Sequence, residues 1–246
     1  MYSDQRRKPR PKPRATAVAE PAQERVRLGG AWITPLAQGA LWLAASETLV
    51  VSDLHFEKGT AFARGGHFLP PYDTRATLAR VAALFGALQP RQVIALGDSF
   101  HDRGAAARLH EEDRETLAAL VKRTDWIWIK GNHDPEPPKE LGGSVLEAFE
   151  VEGVVFRHEP QAGAKAEVAG HLHPCARVAG RSGSVRRPCF AVDEQRMVMP
   201  AFGAYTGGLN VLDKAFKPLF PGGLRALVMG REKLYPTATH RLVGDA

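Results

Sequence analysis

Short apolar runs that end in polar side chains recur along the chain. The runs at residues 49–51, 93–96 and 126–129 are three or four apolar residues long and are bounded by polar or small residues, a pattern typical of buried strands. Each is followed within a few residues by Asp, His or Asn. Because ligands bind at the carboxyl ends of the strands in open α/β sheets, these polar side chains are candidates for one shared site.

Amphipathic helices are predicted between these strands. One apolar stripe has spacings of three, four and three, and consists of Leu78, Val81, Phe85 and Leu88. This spacing predicts a helix that Asp73 caps and that ends at Pro90. A second helix is predicted over residues 111–122. The alternation of strands and helices favours a largely parallel sheet with right-handed crossovers.

The rest of the pattern predicts further strands and one long connection. Residues 31–34 and 40–43 are short runs on either side of Gly39, which favours a hairpin ahead of the first of these strands. Residues 56–72 contain several glycines and prolines, so we expect a long loop that shapes access to the strand ends. Beyond residue 150 the apolar runs are shorter and lie between glycines, which indicates a second sheet.

Five apolar runs in all deliver polar side chains to strand ends. These side chains are Asp53, His55, Asp98, Asn132, His133, His158, His171 and His173. Their nitrogen and oxygen atoms are numerous enough to bind two divalent cations. Mixed imidazole and carboxylate ligands suit Mn, Fe or Zn, and the lack of cysteine among them argues against a closed structural zinc site.

The motifs occur in a fixed order between Asp53 and His173, namely D-x-H, G-D, G-N-H-D, H and G-H-x-H. In this order the sequence resembles the calcineurin-like binuclear metallophosphoesterases. The resemblance implies an α/β fold, a four-layer α/β/β/α sandwich of two mixed sheets flanked by helices. It also implies a metal-dependent phosphoesterase activity.

The resemblance further implies a set of metal ligands. One ion would be held by Asp53, His55, Asp98 and His173, and the other by Asp98, Asn132, His158 and His171. Asp98 would bridge them, because an anion between two dications offsets their repulsion. Mn²⁺ is the favoured metal, with Fe or Zn as alternatives.

His133 and Asp134 are expected to act on the substrate rather than on the metals. By the same resemblance, His133 would face the scissile phosphate and either protonate the leaving oxygen or stabilise its charge. Asp134 would orient the ring of His133. The alternative is that both residues cap a turn. His101, which is close to this motif, is a candidate substrate contact.

A group of arginines follows the last metal motif. Arg177, Arg181, Arg186 and Arg187 are predicted to lie in a loop rich in glycine and serine. Such a loop is suited to contact a nucleic-acid backbone. An ordinary solvated loop is the alternative.

The formal net charge of the 246-residue chain is +6, and its distribution matters more than its sum. Residues 1–14 carry +5, which leaves only +1 for the rest. Because residues 1–24 are rich in proline and cations, we predict a disordered tail, followed by one domain over residues 25–246. The tail would be either a solubilising arm or a non-specific tether to DNA.

Cysteine use and hydropathy predict a cytoplasmic protein. The two cysteines, Cys175 and Cys189, do not make a disulfide framework, which fits a reducing cytosol. The first residues lack the apolar segment of a secretory signal. The apolar runs are too short to span a bilayer, so no membrane contact is expected.

The stretch at residues 199–208 looks like a narrower branch of the family, encoded beside bacterial DNA-repair ligases and helicases. We therefore expect a phosphodiesterase or nuclease that acts on DNA, with single-stranded DNA favoured, and with a DNA-repair helicase and ligase as possible partners. A hydrolase of small phosphoesters or cyclic nucleotides is the alternative. A non-catalytic scaffold of the same fold is disfavoured, because scaffolds tend to lose ligands that are all present in this sequence.

Overall fold

The computed structural model describes residues 24–67, 69–70, 72–180 and 183–245. The predicted disordered tail, apart from its last residue, lies outside the described residues. Within them, no helix is both long enough and apolar enough to cross a membrane.

The first sheet contains seven strands in the described part of the chain. They are β1 (Val26–Leu28), β2 (Ala31–Pro35), β3 (Leu41–Leu43), β4 (Thr48–Val51), β5 (Gln92–Leu96), β6 (Asp125–Ile129) and β7 (Ser144–Leu146). They pair in chain order, antiparallel from β1 to β4 and parallel from β4 to β7. The predicted hairpin is confirmed, and so is the parallel pairing of β4, β5 and β6, but the sheet as a whole is mixed rather than largely parallel.

Four α-helices are present among the described residues. They are α1 (Lys58–Arg64), α2 (Asp73–Leu88), α3 (Ala105–Arg108) and α4 (Glu111–Lys122). The predictions of α2 and α4 are confirmed, although Asp73 is the first helical residue rather than the cap and its carboxylate accepts the backbone N–H of Gly59 at 3.1 Å.

The connection before α2 was expected to be a loop, and this prediction was wrong because it contains α1. A Cβ on Gly59 would lie 2.6 Å from Asp73 Oδ1, so glycine permits the first turn of α1 to approach α2. The helix ends at the Gly65–Gly66 pair, where Gly66 has a φ of +81° that glycine adopts without strain.

The second sheet has eight strands in the described residues. They are β8 (Ala148–Val151), β9 (Val154–Arg157), β10 (Glu167–Ala169), β11 (Cys175–Gly180), β12 (Gly183–Val192), β13 (Arg196–Val198), β14 (Arg225–Met229) and β15 (Leu234–Ala238). The order is β15-β14-β12-β13-β10-β9-β8, with β11 paired to β12 alone. Strand β10 is parallel to β9 and to β13, and the other pairs are antiparallel, so this sheet is also mixed.

Side-chain alternation divides the core into three layers. Ile94 of β5 and Phe190 of β12 belong to a cluster between the two sheets. Val93, which precedes Ile94, points to the opposite face of the first sheet, where α2 and α4 pack. Cys189, which precedes Phe190, points to the outer face of the second sheet. The described residues that cover this last face include a 3-10 helix, Lys214–Phe216, rather than an α-helix. The α/β sandwich of two mixed sheets is therefore confirmed, and its fourth layer is largely irregular.

Candidate metal centre

The polar side chains predicted to share a site come together where strands of both sheets end. In the first sheet they follow β4, β5 and β6, and in the second they follow β9 and β10. Backbone hydrogen bonds fix the ends relative to one another: Asp53 N donates to Gly97 O at 3.2 Å, and His55 N donates to Asp98 O at 2.9 Å. The strand ends therefore form one rim.

The first cluster consists of Asp53, His55 and His173, whose candidate ligand atoms all lie within 4.8 Å of one another. His173 Nε2 is 3.1 Å from Asp53 Oδ1. Asp53 is fully buried and His55 is 4% exposed. These are three of the four residues predicted to hold one metal ion.

The second cluster consists of Asp98, His158 and His171, again within 4.8 Å. Asn132 Oδ1 lies 2.9 Å from His158 Nε2 and 3.0 Å from His171 Nδ1, and these two nitrogens are 3.2 Å apart. Adjacent ligands on a metal ion, each bound at about 2.0–2.2 Å, are separated by roughly 3 Å. The triangle of atoms therefore has the dimensions of one face of a metal coordination shell.

Asp98 lies between the two clusters. Its Oδ2 is 3.4 Å from His158 Nε2 in the second cluster and 4.0 Å from His55 Nε2 in the first. Its Oδ1 accepts the backbone N–H of His133 at 2.8 Å. Asp98 therefore approaches both clusters.

Two buried ring nitrogens test whether the site fits metal ions. His55 Nε2 and His173 Nε2 have no hydrogen-bond partner within the described residues, and both are shielded from solvent. The short approach of His173 to Asp53 does not have hydrogen-bond geometry. A buried polar atom without a partner costs about 1–3 kcal/mol. A cation that accepted both lone pairs would remove that cost, so the donor set fits the predicted metals.

The backbone is strained at five predicted ligands. Positive φ angles occur at Asp53, His55, Asp98, His171 and His173, between 43° and 67°. Such conformations cost about 1–3 kcal/mol each in residues other than glycine and tend to cluster at functional sites. Here they turn each side chain back toward the rim immediately after its strand ends.

Glycines leave room for the ligands. A Cβ on Gly97 would collide with the ring of His158, and one on Gly131 would collide with Asp98 Oδ1. A Cβ on Gly170 would collide with the Ser52 hydroxyl and would lie 2.5 Å from Asp53 Oδ2. The motif glycines are therefore required by the packing around the carboxylates.

Burial and pairing give the site its electrostatics. Burial acts to raise the pKa of Asp98, but contact with His158 and its positive charge hold that pKa at about 2. Burial acts to lower the pKa of His158, but Asp98 and Asp53 outweigh it and raise that pKa to about 9. Burial lowers the pKa of His55 to about 3, and burial together with the charge of His158 lowers the pKa of His171. His55 and His171 are thus neutral at pH 7, as metal ligands must be.

His133 is placed for contact with a substrate, but its partner differs from the expected one. Its side chain is 41% exposed, with Nε2 at 4.0 Å from Asp98 Oδ2. Its Nδ1 lies 2.8 Å from the backbone carbonyl of His101, not beside Asp134. A carbonyl oxygen only accepts, so Nδ1 carries the proton and Nε2 faces the site with its lone pair.

Asp134 was expected to orient His133, and the structure contradicts this role. Its Oδ2 accepts the backbone N–H of Phe100 at 3.0 Å, so it fixes the turn after β5 instead. Burial raises the pKa of Asp134 to about 7, and the nearby charge of Asp98 adds to the rise. The carboxyl group is buried, with Asp134 3% exposed, and a Cβ on Gly131 would lie 2.7 Å from its Oδ1.

His101 lies at the rim as expected. Its ring stacks on that of His133, with centroids 5.3 Å apart and planes inclined by 23°. Its Nδ1 is 3.5 Å from Nδ1 of His55. His55, His101 and His133 form a third group of ligand atoms within 4.8 Å.

The predicted arginine loop is instead a β-hairpin formed by β11 and β12, so that prediction was wrong. Arg177 pairs directly with Arg186, and Arg187 pairs with Ala176. Since side chains alternate along a strand, Arg187 points to the face opposite the other two. Arg181 lies outside the described residues. Exposed strands with polar residues on both faces have no apolar alternation, which is why the sequence resembled a loop.

Only part of the arginine charge is free for a ligand. Arg186 Nε is 3.3 Å from Asp245 Oδ1, and its guanidinium also donates to Gly208 O at 2.5 Å. Arg177 Nε donates to Ser184 Oγ at 2.7 Å. Arg187 is exposed.

The stretch at residues 199–208, whose structural role was not predicted from the sequence, packs on the backbone of two predicted ligands. Phe202 N donates to Ser52 O at 2.8 Å, and Gly203 N donates to Asp53 O at 3.1 Å. A Cβ on Gly208 would collide with the carbonyl of His173. The stretch therefore supports Asp53 and His173. Its three glycines among ten residues were the available signal.

Comparison with known proteins agrees with this geometry. The family model described as calcineurin-like phosphoesterase matches residues 47–187, which include all seven predicted metal ligands. The crystal structure of Pseudomonas putida nuclease MPE is 31% identical, with a TM-score of 0.69, and the match covers 87% of this chain and 100% of that chain.

A more distant likeness is to Yfce, a phosphoesterase from E. coli. It is 16% identical with a TM-score of 0.41, and the match covers 78% of this chain and 98% of that chain. No curated protein matched the chain. Since the family model spans more than half of the sequence and the Pseudomonas structure is matched along its whole length, the chain belongs to the calcineurin-like phosphoesterase family, as a metal-dependent phosphoesterase.

Proposed function

We propose that this phosphoesterase hydrolyses phosphodiester bonds in DNA, with single-stranded DNA as the favoured substrate, and that it does so with two divalent metal ions. The observation that carries the proposal is the position of Asp98 between two clusters of buried nitrogen and oxygen ligands. The similar Pseudomonas protein is named a nuclease, which favours a nucleic-acid substrate for this chain as well.

Asp53, His55, Asp98 and His173 would hold one ion, and Asp98, Asn132, His158 and His171 the other. When bound, two such ions would make water more acidic and hence a better nucleophile at phosphorus, and would offset negative charge on the phosphate. Mn²⁺ is the proposed metal, since the ligands are oxygen and nitrogen atoms only; Fe and Zn suit the same set.

His133 acts on the leaving group in this proposal. Its Nδ1 is held by the carbonyl of His101, so that Nε2 is directed to the site. Once protonated, Nε2 donates its proton to the leaving oxygen. This nitrogen lies 4.0 Å from Oδ2 of Asp98, the proposed bridging carboxylate, so it is next to the proposed ions.

The open rim favours a polymer with unpaired bases. His133 and Asn132 are exposed at the surface. The β11–β12 hairpin, which carries Arg177 and Arg186, begins two residues after His173. Cationic side chains beside an open site suit a phosphate backbone. A DNA-repair helicase and ligase are the proposed partners, on the resemblance of residues 199–208 alone. The alternative substrates are small phosphoesters and cyclic nucleotides.

A substrate panel in Mn²⁺ tests the proposal. It comprises an aryl phosphodiester, the matching monoester, a cyclic nucleotide, and single- and double-stranded DNA. The proposal predicts hydrolysis of the diester and of both DNA forms, with the highest kcat/KM on single strands. Preference for the monoester or the cyclic nucleotide over every DNA substrate would contradict it.

A further inference from the structure

A row of planar side chains leads away from His133 along one side of the metal centre. His133 stacks on His101, whose ring centroid is 5.9 Å from that of Phe62 at an inclination of 41°. Phe62 in turn lies 6.4 Å from His67. We call His133, His101, Phe62 and His67 the ring row. Its members come from three separate connections of the first sheet and meet only in the fold.

Phe62 is an exposed aromatic residue beside the metal centre. It lies on α1 and 39% of its surface is open to solvent, although the neighbouring Phe56 and Phe100 are buried. An exposed aromatic ring at the edge of the site offers a face on which a nucleobase can stack. The side chain contributes little to the core and is available to a ligand.

Lys58 provides a cation beside the same row. It lies one helical turn before Phe62, with Nζ 5.8 Å from the centroid of that ring. Because the ring of Phe62 also neighbours that of His101, the ammonium group lies beside the ring row. No carboxylate within the described residues approaches it to ion-pair distance. A half-buried cation in that position is suited to a phosphate.

We propose that Phe62 stacks on an unpaired nucleobase next to the scissile phosphodiester, while Lys58 binds the adjoining phosphate. An aromatic ring stacks on any base, since every base has a π face. In a duplex both faces of each base are already covered, so this contact selects single strands without reading sequence. The inference rests on the proposed function and gives it a structural basis.

Binding measurements separate the base contact from the phosphate contact. The probes are fluorescein-labelled, phosphorothioate-linked oligodeoxythymidylate, which is hydrolysed slowly, and an abasic oligonucleotide of the same length. Affinities for the full chain in Mn²⁺ are measured by anisotropy. The ratio of the two affinities reports stacking.

Phe62→Leu should lower this ratio by roughly 5- to 150-fold, the range for one base on one aromatic ring, and Phe62→Trp should preserve it. Tyr235→Leu is the matched control, because Tyr235 is 51% exposed on β15 and should leave the ratio unchanged. Lys58→Gln should weaken both probes alike and flatten the log-log salt dependence by about 0.7.

An unchanged ratio in a Phe62→Leu protein with the parent's circular dichroism and unfolding temperature would overturn the stacking contact. The proposed function fails differently. A protein that binds thymidylate in preference to the abasic probe but does not cleave single-stranded DNA would retain the ring row and lose the nuclease assignment. Cleavage of the thymidylate and abasic oligonucleotides with equal kcat/KM would retain the nuclease assignment and contradict the stacking contact.

Discussion

Asp98 shows how a single residue can connect the two halves of a site. Its carboxylate approaches His55 on one side and His158 on the other, and its φ of +43° turns it inward. Its presence after an apolar run was visible in the sequence. That it lies between two clusters was not, because His158 comes from the other sheet and only the fold brings them together.

The raised pKa of His158 predicts opposite pH effects on metal binding and on stability. A ring nitrogen cannot hold a proton and a metal ion at once, so the affinity for Mn²⁺ should increase between pH 6.5 and pH 8.5. Without metal, protonated His158 stabilises the folded protein, because its pKa is 6.5 in the unfolded chain and about 9 in the fold. This stabilisation is complete below pH 6.5 and is lost as the pH rises through about 9. His55 and His171 stay neutral in this window because their pKa values are lowered.

Isothermal titration with Mn²⁺ and urea unfolding in chelator, each across that pH range, check both effects. His158→Asn should remove the pH dependence of stability between about pH 8 and pH 9, because Asp134, whose pKa is about 7, has completed its own titration below that range. A parent protein whose stability in chelator is flat from pH 6.5 to pH 9 would show that His158 is not held protonated by Asp98.

His133→Ala tests the proposed acid. Esters with poor, alkoxide-like leaving groups should be hydrolysed about 10²- to 10⁴-fold more slowly, whereas aryl esters with good leaving groups, which need no proton, should be largely spared. The readout is kcat for both ester types, with metal content measured alongside. An equal loss on both types would assign His133 to stabilising charge on the phosphate instead.

At the level of elements, strand ends and the glycines beside them build the site. Strands β4, β5 and β6 were predictable because strands buried on both faces are apolar throughout. Helix α1 was not, since its start depends on the contact between Gly59 and Asp73 in another helix. The role of Asp134 was also missed, because the partner it finds is a backbone N–H that no motif specifies.

Two glycine-to-alanine substitutions separate packing at the site from ordinary helix stability. Gly131→Ala places a methyl group against Asp98 and Asp134, so it should destabilise the fold by roughly 1–3 kcal/mol and weaken Mn²⁺ binding. Gly86→Ala is the matched control. Gly86 lies within α2, and a Cβ there would meet no atom of the described residues within 4 Å, so alanine should stabilise the fold by up to about 1 kcal/mol.

Urea unfolding and Mn²⁺ titration of the two variants give the comparison. Gly131→Ala with the parent's metal affinity would show that the loop before Asn132 can relax without moving Asp98.

For the molecule as a whole, most of the net positive charge lies in a different part of the sequence from the proposed metal ligands. Residues 1–14 carry +5 of the net charge of +6, and the remaining residues, which include all the proposed ligands, carry only +1. Composition predicted this division. It did not predict that Asp245 offsets Arg186, because the two residues are 59 positions apart.

Salt dependence distinguishes the tail from the hairpin as a DNA contact. If residues 1–14 tether single strands, six cations contribute a log-log slope of at most about −4, and a truncated chain that begins at Glu24 should lose that part. Turnover of a small phosphodiester should stay the same. The measurement is DNA affinity across a salt series. Coincident slopes would leave the tail as a solubilising arm and assign the contact to cations of the domain, such as Lys58 and Arg177.

Titration of the chelator-treated protein with Mn²⁺, with bound ions and hydrolysis of a phosphodiester followed together, tests the two-metal site most directly. Two ions should bind per chain, activity should appear with the second, and Asp98→Ala should lose both the activity and most of the bound metal. Full activity with one ion or none, or two tightly bound ions in Asp98→Ala, would contradict a bridged pair of ions as the basis of hydrolysis.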